Sequence, residues 1–239
     1  MSNISHETQK SWWTNEWSNA DQDLKMPGQS DIEPSDSVRE LTDLAIDQFK
    51  DSSSCLRVLD VGCGIGRNAL YLATKFDEVV GVDYADTAVS RSQSINTTGL
   101  NCTFVQADAT QLPFADSSFD IILDSLTSTS MQKAARNKFA DEAYRLLRPK
   151  GLLLMRCVSA SDDTESNLMR TNPGPEVNSS IWPDSLKFQK NFSAQEVIEM
   201  HDRLSLLLLK RVQKFSQKLG SHVYVTNWSA IFEKLEEGN

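Results

Sequence analysis

Basic residues and long apolar runs are both scarce in this chain. Among its 239 residues, 24 are lysine or arginine and 33 are aspartate or glutamate, which gives a formal net charge of -9. A phosphate backbone is neutralised by a basic surface, so this balance disfavours a nucleic-acid partner. No apolar run approaches the roughly 18 residues that a membrane-spanning helix requires. We therefore expect neither a nucleic-acid nor a membrane partner.

Cysteine is also sparse, and its spacing is uninformative. Cys55, Cys63, Cys102 and Cys157 form no Cys-x-x-Cys pair and have no histidine nearby. This pattern predicts reduced thiols rather than disulfides or zinc ligands, and we find no metal-ligand set. The first residues show no basic segment followed by an apolar core. We therefore expect a cytoplasmic protein without a secretion signal.

Strand-like and helical patterns alternate through most of the chain. Alternation of this kind predicts right-handed βαβ units and a parallel sheet covered by helices on both faces. The strand-like runs are 57–61, 78–82, 102–106, 119–123, 152–158, 204–212 and 223–232, and the helical patterns between them are 67–75, 85–95 and 134–147.

Three local sequence signals predict where helices begin or end. Ser37 precedes a helical pattern with Glu40 at the capping-box position, and Ser193 is followed in the same way by Glu196. Gly151 is typical of the residue that stops a helix and its turn. The run 206–209, four consecutive leucines, predicts a buried strand.

Two segments do not follow the alternation. Residues 1–36 are polar but contain Trp12, Trp13 and Trp17, which are costly to leave in water and so predict a docked tail or lid. Residues 159–190 are rich in Ser, Asp, Asn and Pro and follow the run 152–158. A long insertion at that point is either a disordered loop or a functional lid.

The most informative stretch is Val58–Gly66, in which a buried strand breaks into three alternating glycines, Gly62, Gly64 and Gly66. A turn without side chains lets a nucleotide-like ligand approach the backbone. The helix that follows directs its N-terminal N–H groups at the same space. Alone, this turn is compatible with several nucleotide ligands, including a dinucleotide.

A series of aspartates at strand ends narrows the set of possible nucleotide ligands. Asp83, Asp108 and Asp124 follow three successive strand-like runs, and the carboxyl ends of parallel strands are where open α/β sheets bind ligands. A carboxylate at Asp83 can accept hydrogen bonds from both hydroxyls of a ribose, and Asp108 is placed to accept one from an adenine amino group. The glycine spacing also differs from the Gly-x-Gly-x-x-Gly fingerprint of pyrophosphate binding.

With these pieces in order, residues 37–158 resemble a class I S-adenosylmethionine-dependent methyltransferase. The resemblance implies a Rossmann-like, doubly wound seven-stranded sheet, mostly parallel with an antiparallel last strand, within a domain spanning 37–239. It further implies S-adenosyl-L-methionine as cofactor, with its methionine part at Asp60 and the glycines, its ribose at Asp83, its adenine at Asp108 and Ala109, and its ammonium near Asp124. We add Cys63, Tyr84 and Trp13 to this expected cofactor set.

The outer segments, including 66–73 and the tryptophans, distantly resemble the small-molecule branch that includes tellurite and thiopurine methyltransferases. We therefore expect methyl transfer to an O, N or S nucleophile of a small molecule by a monomer or homodimer. Asp124 and Thr127 are weak candidates for assisting the chemistry. Two alternatives stay open: a protein or tRNA methyltransferase, and a non-catalytic cofactor-binding regulatory subunit. A closed aromatic cavity indicates a small acceptor, and an open groove indicates a polymer.

Overall fold

A central β-sheet carries the fold, and the computed structural model describes residues 5–19, 33–96, 99–161, 168–183, 185–218 and 221–236. Parts of the predicted tail (1–4 and 20–32) and of the predicted 159–190 insertion (162–167 and 184) lie outside the described residues. The strands are β1 (Arg57–Val61), β2 (Glu78–Asp83), β3 (Cys102–Gln106), β4 (Phe119–Ser125), β5 (Leu147–Val158), β6 (Ser179–Ile181), β7 (Phe188–Lys190), β8 (Ser205–Lys218) and β9 (Ser221–Glu233).

Seven of these strands form one sheet in the order β3-β2-β1-β4-β5-β9-β8. The pairs from β3 through β5 are parallel, and β9 runs antiparallel to both β5 and β8. The predicted seven-stranded, mostly parallel sheet with an antiparallel last strand is therefore confirmed. The short pair β6 and β7 forms a separate hairpin inside the insertion.

Helices cover both faces of the sheet, as predicted for a doubly wound fold. They are α1 (His6–Asn19), α2 (Asp36–Phe49), α3 (Arg67–Leu72), α4 (Asp86–Ile95), α5 (Lys133–Leu146) and α6 (Ala194–Met200), with a 3₁₀ turn at Ser128–Ser130. One buried core joins α5 and α6 to the face of β5 that bears Leu153 and Met155. The other core joins α2 and α3 to the face that bears Leu152 and Leu154. Alternation of side chains along β5 thus serves two cores at once.

The predicted helix caps have different outcomes. Ser193 forms a capping box with Glu196, as expected. The prediction for Ser37 is wrong, because α2 begins at Asp36 and Ser35 is its N-cap, with its hydroxyl accepting from the Val38 N–H at 3.3 Å. Two serines stand in the same stretch, and only Ser35 has the extended backbone that an N-cap requires.

Gly151 does not stop a helix. Helix α5 ends at Leu146, and Gly151 lies within β5. A Cβ at this position would lie 2.8 Å from the carbonyl oxygen of Arg148 and 3.0 Å from that of Asp120. The glycine is needed for a close approach of two backbones rather than for a helix end.

The leucine run in β8 is also less buried than predicted. Strand β8 is the edge of the sheet, and Leu206 and Leu207 are exposed. The β8–β9 hairpin continues beyond the end of β5, since β5 pairs with β9 only as far as Val158 and Asn227. This extension projects past the carboxyl edge of the parallel strands, which is the edge where ligands bind. Among the described helices, none is long and apolar enough to cross a membrane.

Candidate functional site

A cavity of about 580 Å³ opens along the carboxyl edge of the sheet. Its walls come from the glycine turn after β1, the ends of β2 and β3, the loop after β4, the ends of β5 and β9, helix α1 and the insertion. Among the residues that line the cavity are Gln9, Trp12, Trp13, Trp17, Gly62, Cys63, Gly64, Arg67, Asp83, Tyr84, Asp108, Ala109, Thr127, Arg156, Val158, Trp182, Lys187, Val225 and Asn227.

The glycine turn forms the floor of the cavity, and its backbone requires glycine. Gly62 and Gly64 have φ angles of 67° and 55°, which side-chain-bearing residues rarely adopt. A Cβ on Gly62 would lie 2.3 Å from Oγ1 of Thr127. That hydroxyl is fixed in place because it donates to the Val61 carbonyl at 2.7 Å. The turn is therefore closed to side chains both by conformation and by packing.

Asp83 ends β2 and is held against the glycine turn. Its Oδ2 accepts from the Gly64 N–H at 3.0 Å, and its Oδ1 accepts from the Ala85 N–H at 3.0 Å. Burial raises the pKa of this carboxyl, and the backbone N–H groups oppose that shift. Each carboxylate oxygen has a second lone pair, so Asp83 keeps acceptor capacity toward the cavity it lines.

Asp60 and Asp124 lie beneath the cavity rather than in its wall. Burial raises the pKa of Asp60 to about 8, against a stabilising backbone hydrogen bond from Ala69. Burial likewise raises the pKa of Asp124 to about 6, although its Oδ1 accepts from the N–H groups of Thr127 at 2.9 Å and Ser128 at 3.2 Å. Both carboxyls are almost fully buried; Asp60 is tied to the start of α3, and Asp124 braces the loop after β4 that forms part of the floor.

Gly66 also supports the turn from below. It precedes α3 with a φ of 83°, and a Cβ there would lie 2.7 Å from the Phe104 ring. Its neighbour in the turn, Cys63, does line the cavity, and burial raises the pKa of its thiol well above the usual value. Within the described ranges, no group of three or more His, Cys, Asp or Glu side chains is placed to hold a metal ion.

Asp108 joins the sheet to helix α1. Its Oδ2 lies 2.6 Å from Nζ of Lys10 and 3.3 Å from Nε2 of His6, while Oδ1 accepts from the N–H and hydroxyl of Thr110, each at 2.8 Å. Burial acts to raise the pKa of Asp108, but these hydrogen bonds together hold it well below its usual range. Ala109, the next residue, also lines the cavity.

The tryptophans of α1 lie over the floor, so the predicted docking of the tail is seen in the described part of it. Trp17 is only 4% exposed, and its ring would be 2.9 Å from a Cβ on Gly64. It packs in a small core with Ile65, Ala85 and Ala88. Trp13 packs against this core and lines the cavity, and so does Tyr84, whose hydroxyl donates to the Gln9 carbonyl at 3.4 Å.

Helix α1 and the insertion residues Trp182 and 185–189 together form what we call the roof. Gln9 ties the two parts: its Nε2 donates to the Leu186 carbonyl at 3.2 Å, and its Oε1 accepts from the Phe188 N–H at 2.9 Å. The Lys187 ammonium lies among three indole rings, at 4.8 Å from the centroid of Trp13, 5.6 Å from Trp12 and 5.8 Å from Trp182. Cation–π attraction therefore adds to the hydrogen bonds that close the roof.

Sequence reasoning missed Gln9, Lys187 and Arg156. Gln9 and Lys187 have no local signal, because each acts on a partner far away in the chain. For Arg156 the sequence does hold a local signal, because it is the lone charged residue in the apolar run 152–158. A charged residue inside a buried strand usually marks a functional position or a buried pair.

The strand order, the helices on both faces and the glycine turn at the carboxyl edge define the class I methyltransferase fold. The comparisons agree: residues 58–151 match the family model described as a methyltransferase domain. The predicted resemblance to a methyltransferase is thus confirmed over residues 58–151.

The similarity to curated relatives covers about half of this chain. An uncharacterized protein of Haemophilus influenzae is 32% identical over 131 residues, which are 53% of this chain and 52% of that protein. The 2-methyl-6-phytyl-1,4-hydroquinone methyltransferase of Synechocystis is 32% identical over 109 residues, 45% of this chain and 34% of that enzyme. The chain thus spans about half or less of the length of these curated relatives.

Among solved structures, the fold is shared over nearly the whole chain. The Burkholderia thailandensis 1,6-didemethyltoxoflavin-N1-methyltransferase, bound to 1,6-didemethyltoxoflavin and S-adenosylhomocysteine, matches with a TM-score of 0.69 and 15% identity. The match covers 99% of this chain and 93% of that one. At this level of identity the likeness shows the fold.

Proposed function

We propose that this chain transfers a methyl group from S-adenosyl-L-methionine to an O, N or S atom of a small molecule. The observation that carries the proposal is the roofed, tryptophan-lined cavity directly above the glycine turn. Its volume of about 580 Å³ falls in the range typical of small-molecule sites. A protein or tRNA acceptor needs an open groove for its chain, so the roof favours a small acceptor.

The methyl donor fits the residues at one end of the cavity, which we call the donor end (Gly62, Gly64, Asp83, Asp108 and Ala109). The bare backbone of the glycine turn admits the methionine part, and the spare lone pairs of Asp83 can accept from the ribose hydroxyls. Asp108, Ala109 and Tyr84 border the space left for the adenine. Asp60 and Asp124 act in this proposal by holding the loops rather than by touching the donor.

The bound donor supplies an already activated sulfonium methyl group, so the chain's own work is positioning and exclusion of water. The roof performs the second task, with Trp13 and Trp17 over the floor. Asp124 has no face on the cavity, and Thr127 uses its hydroxyl proton on the Val61 carbonyl. We therefore propose catalysis by orientation, with Thr127 as the hydroxyl nearest the turn.

The division of the chain is part of the same proposal. Residues 1–36 and 159–190 act as the two parts of a lid, and residues 37–239 form the methyltransferase domain. All four cysteines are free, which supports the proposed cytoplasmic location. We propose a monomer or a homodimer.

Calorimetry with S-adenosylhomocysteine and S-adenosylmethionine tests the proposal. We expect binding of one ligand per chain, weakened at least about tenfold, or 1.4 kcal/mol, in Asp83→Ala. Asp116→Ala is the matched control, because that carboxylate is exposed and pairs with Arg145 outside the cavity. A wild-type chain that binds neither ligand would contradict the proposal, and a product in a broad acceptor screen would complete it.

A further inference from the structure

Arg156 is the unusual residue at the end of the cavity away from the donor end. It lies near the end of β5, aligned with Ser125 of β4 on one side and Ser229 of β9 on the other. Its neighbours on the same face of the sheet are Leu154 and Val158, by the alternation of a strand. The guanidinium thus emerges from an apolar core into the cavity that it lines.

The Arg156 side chain is partly buried and unpaired among the residues that the structure describes. No residue in the described parts of the chain forms an ion pair or a side-chain hydrogen bond with Arg156, and its Nε is buried without a partner. Burial lowers the pKa of Arg156 to about 10, and the positive charge of Arg67 acts in the same direction. Arg156 is half-buried and its Nε is fully buried, so the side chain loses part of its hydration, and such a group normally has a partner.

The order of the sheet places Arg156 at the opposite end of the cavity from the donor end. Strands β3, β2 and β1 carry the donor end, and β4 separates them from β5 and β9. Arg156, Val158, Val225 and Asn227 line the cavity on the far side of β4, and we call them the acceptor end. Among these four side chains Arg156 alone carries a charge, and Asn227 is the other polar group.

We propose that the methyl acceptor carries an oxyanion, a carboxylate or a phosphate, that pairs with Arg156 when the acceptor binds. This inference rests on the proposed function, since it assigns the substrate class of the same cavity. A planar guanidinium can donate two parallel hydrogen bonds to a carboxylate or phosphate, which gives direction as well as energy. The pair would anchor the acceptor on one side while the indole rings of the roof cover its body. Arg156 is a substrate-binding residue here and takes no part in the transfer itself.

One competing assignment gives Arg156 to the carboxylate of the methyl donor. The two assignments separate in binding measurements. If Arg156 serves the donor, its loss weakens S-adenosylhomocysteine; if it serves the acceptor, its loss leaves that ligand unchanged and removes a preference for anions.

The test uses the full chain saturated with S-adenosylhomocysteine and titrated with matched probes. Benzoate and phenyl phosphate are the anionic probes, and benzamide is the uncharged analogue of the first. We expect at least one anion to bind at least tenfold more tightly than benzamide, and the stronger of the two identifies carboxylate or phosphate. In Arg156→Gln we expect this preference to fall below twofold while the affinity for S-adenosylhomocysteine changes by less than twofold.

Two further variants keep the result interpretable. Arg203→Gln removes an exposed arginine that contacts Asp141 and Tyr144 outside the cavity, and we expect it to retain the full preference. Arg156→Lys keeps the charge but loses the planar pair of donors, so we expect an intermediate preference even if Arg156→Gln fails to fold.

Three outcomes overturn the inference. The wild-type chain shows no preference for anions, or the preference survives in Arg156→Gln, or S-adenosylhomocysteine itself weakens tenfold in that variant. In each of these the proposed function stands. Absence of S-adenosylhomocysteine binding by the wild-type chain is the separate result that removes the proposed function.

Discussion

The donor end and the roof of one cavity are built by opposite means. The donor end is made of backbone and of short carboxylates at strand ends, fixed by hydrogen bonds such as those that Asp83 accepts from the N–H groups of Gly64 and Ala85. The roof is made of long side chains on two separate segments, joined by Gln9 and by Lys187 among its indole rings. The donor end is a rigid part of the sheet, whereas the roof is assembled from two segments that lie outside the sheet.

This difference separates two tasks. A rigid donor end suits a ligand that is the same in every reaction cycle, because pre-organised groups bind without an ordering cost. A roof held by a few hydrogen bonds and ring contacts can open and close at a small cost, which suits entry of an acceptor and exclusion of water. The following substitutions test this contrast.

The largest effect is expected at the donor end, from Gly62→Ala. The added Cβ would meet Thr127 at a φ of 67°, so we expect S-adenosylhomocysteine affinity to fall at least about 100-fold, or 2.7 kcal/mol, by calorimetry. Gly99→Ala is the matched control: its φ is 69°, but nothing lies within 4 Å of a Cβ there. We expect that control to lose about 1–2 kcal/mol of stability from backbone strain alone and to bind normally. Equal binding by both variants would show that the floor tolerates side chains.

An intermediate effect is expected in the roof, from Gln9→Ala. This change removes both hydrogen bonds to the insertion and leaves the Phe188 N–H without its partner, which costs about 1–3 kcal/mol. Faster amide exchange at 185–189 would report the opening, and chemical denaturation would report the stability. Gln195→Ala, which removes only an exposed bond to Glu199, should change stability by less than about 0.5 kcal/mol. If the two variants behave alike, Gln9 does not hold the roof.

The smallest effect is expected where the two regions meet, at the Asp108–Lys10 pair. A double-mutant cycle with Asp108→Asn and Lys10→Met should give a coupling of about 0.5–1 kcal/mol, since the pair is partly solvated. The pKa of Asp108 is lowered in the folded chain, so its contribution is present above its ordinary value of 3.8 and is lost as the pH falls below that. The stability lost in Asp108→Asn, measured by denaturation, should therefore be constant from pH 7 to 5 and shrink below pH 4. A loss as large at pH 3 as at pH 7 would contradict the lowered pKa of Asp108.

The contrast between the donor end and the roof also explains which parts of the fold and of the site the sequence could predict. The sheet, the glycine turn and the placing of Asp83 and Asp108 at strand ends all follow from local patterns: alternation, glycine spacing and the shared edge of parallel strands. The docking of Trp13 and Trp17 follows from the cost of exposing indole rings. These inferences need no knowledge of which distant residues meet.

The roof depends on contacts between residues far apart in the chain, and the sequence could not predict it for that reason. Gln9 and Phe188 are 179 positions apart, and no periodicity in either segment indicates the other. The errors at Ser37 and Gly151 have a related cause, since each residue type has several uses and the tertiary surroundings select one. Arg156 is different, because its charge within an apolar strand was visible and its importance was recognised only with the cavity.

The distance between Gln9 and Phe188 has a consequence for biosynthesis. Helix α1 leaves the ribosome long before the insertion that completes the roof, so Gln9 must wait for its partners Leu186 and Phe188 until most of the sheet strands have been made. Contacts of such long range close late in folding, because the loop entropy is lost before they contribute. The closed roof is thus among the last features to form, after the strand ends that it covers.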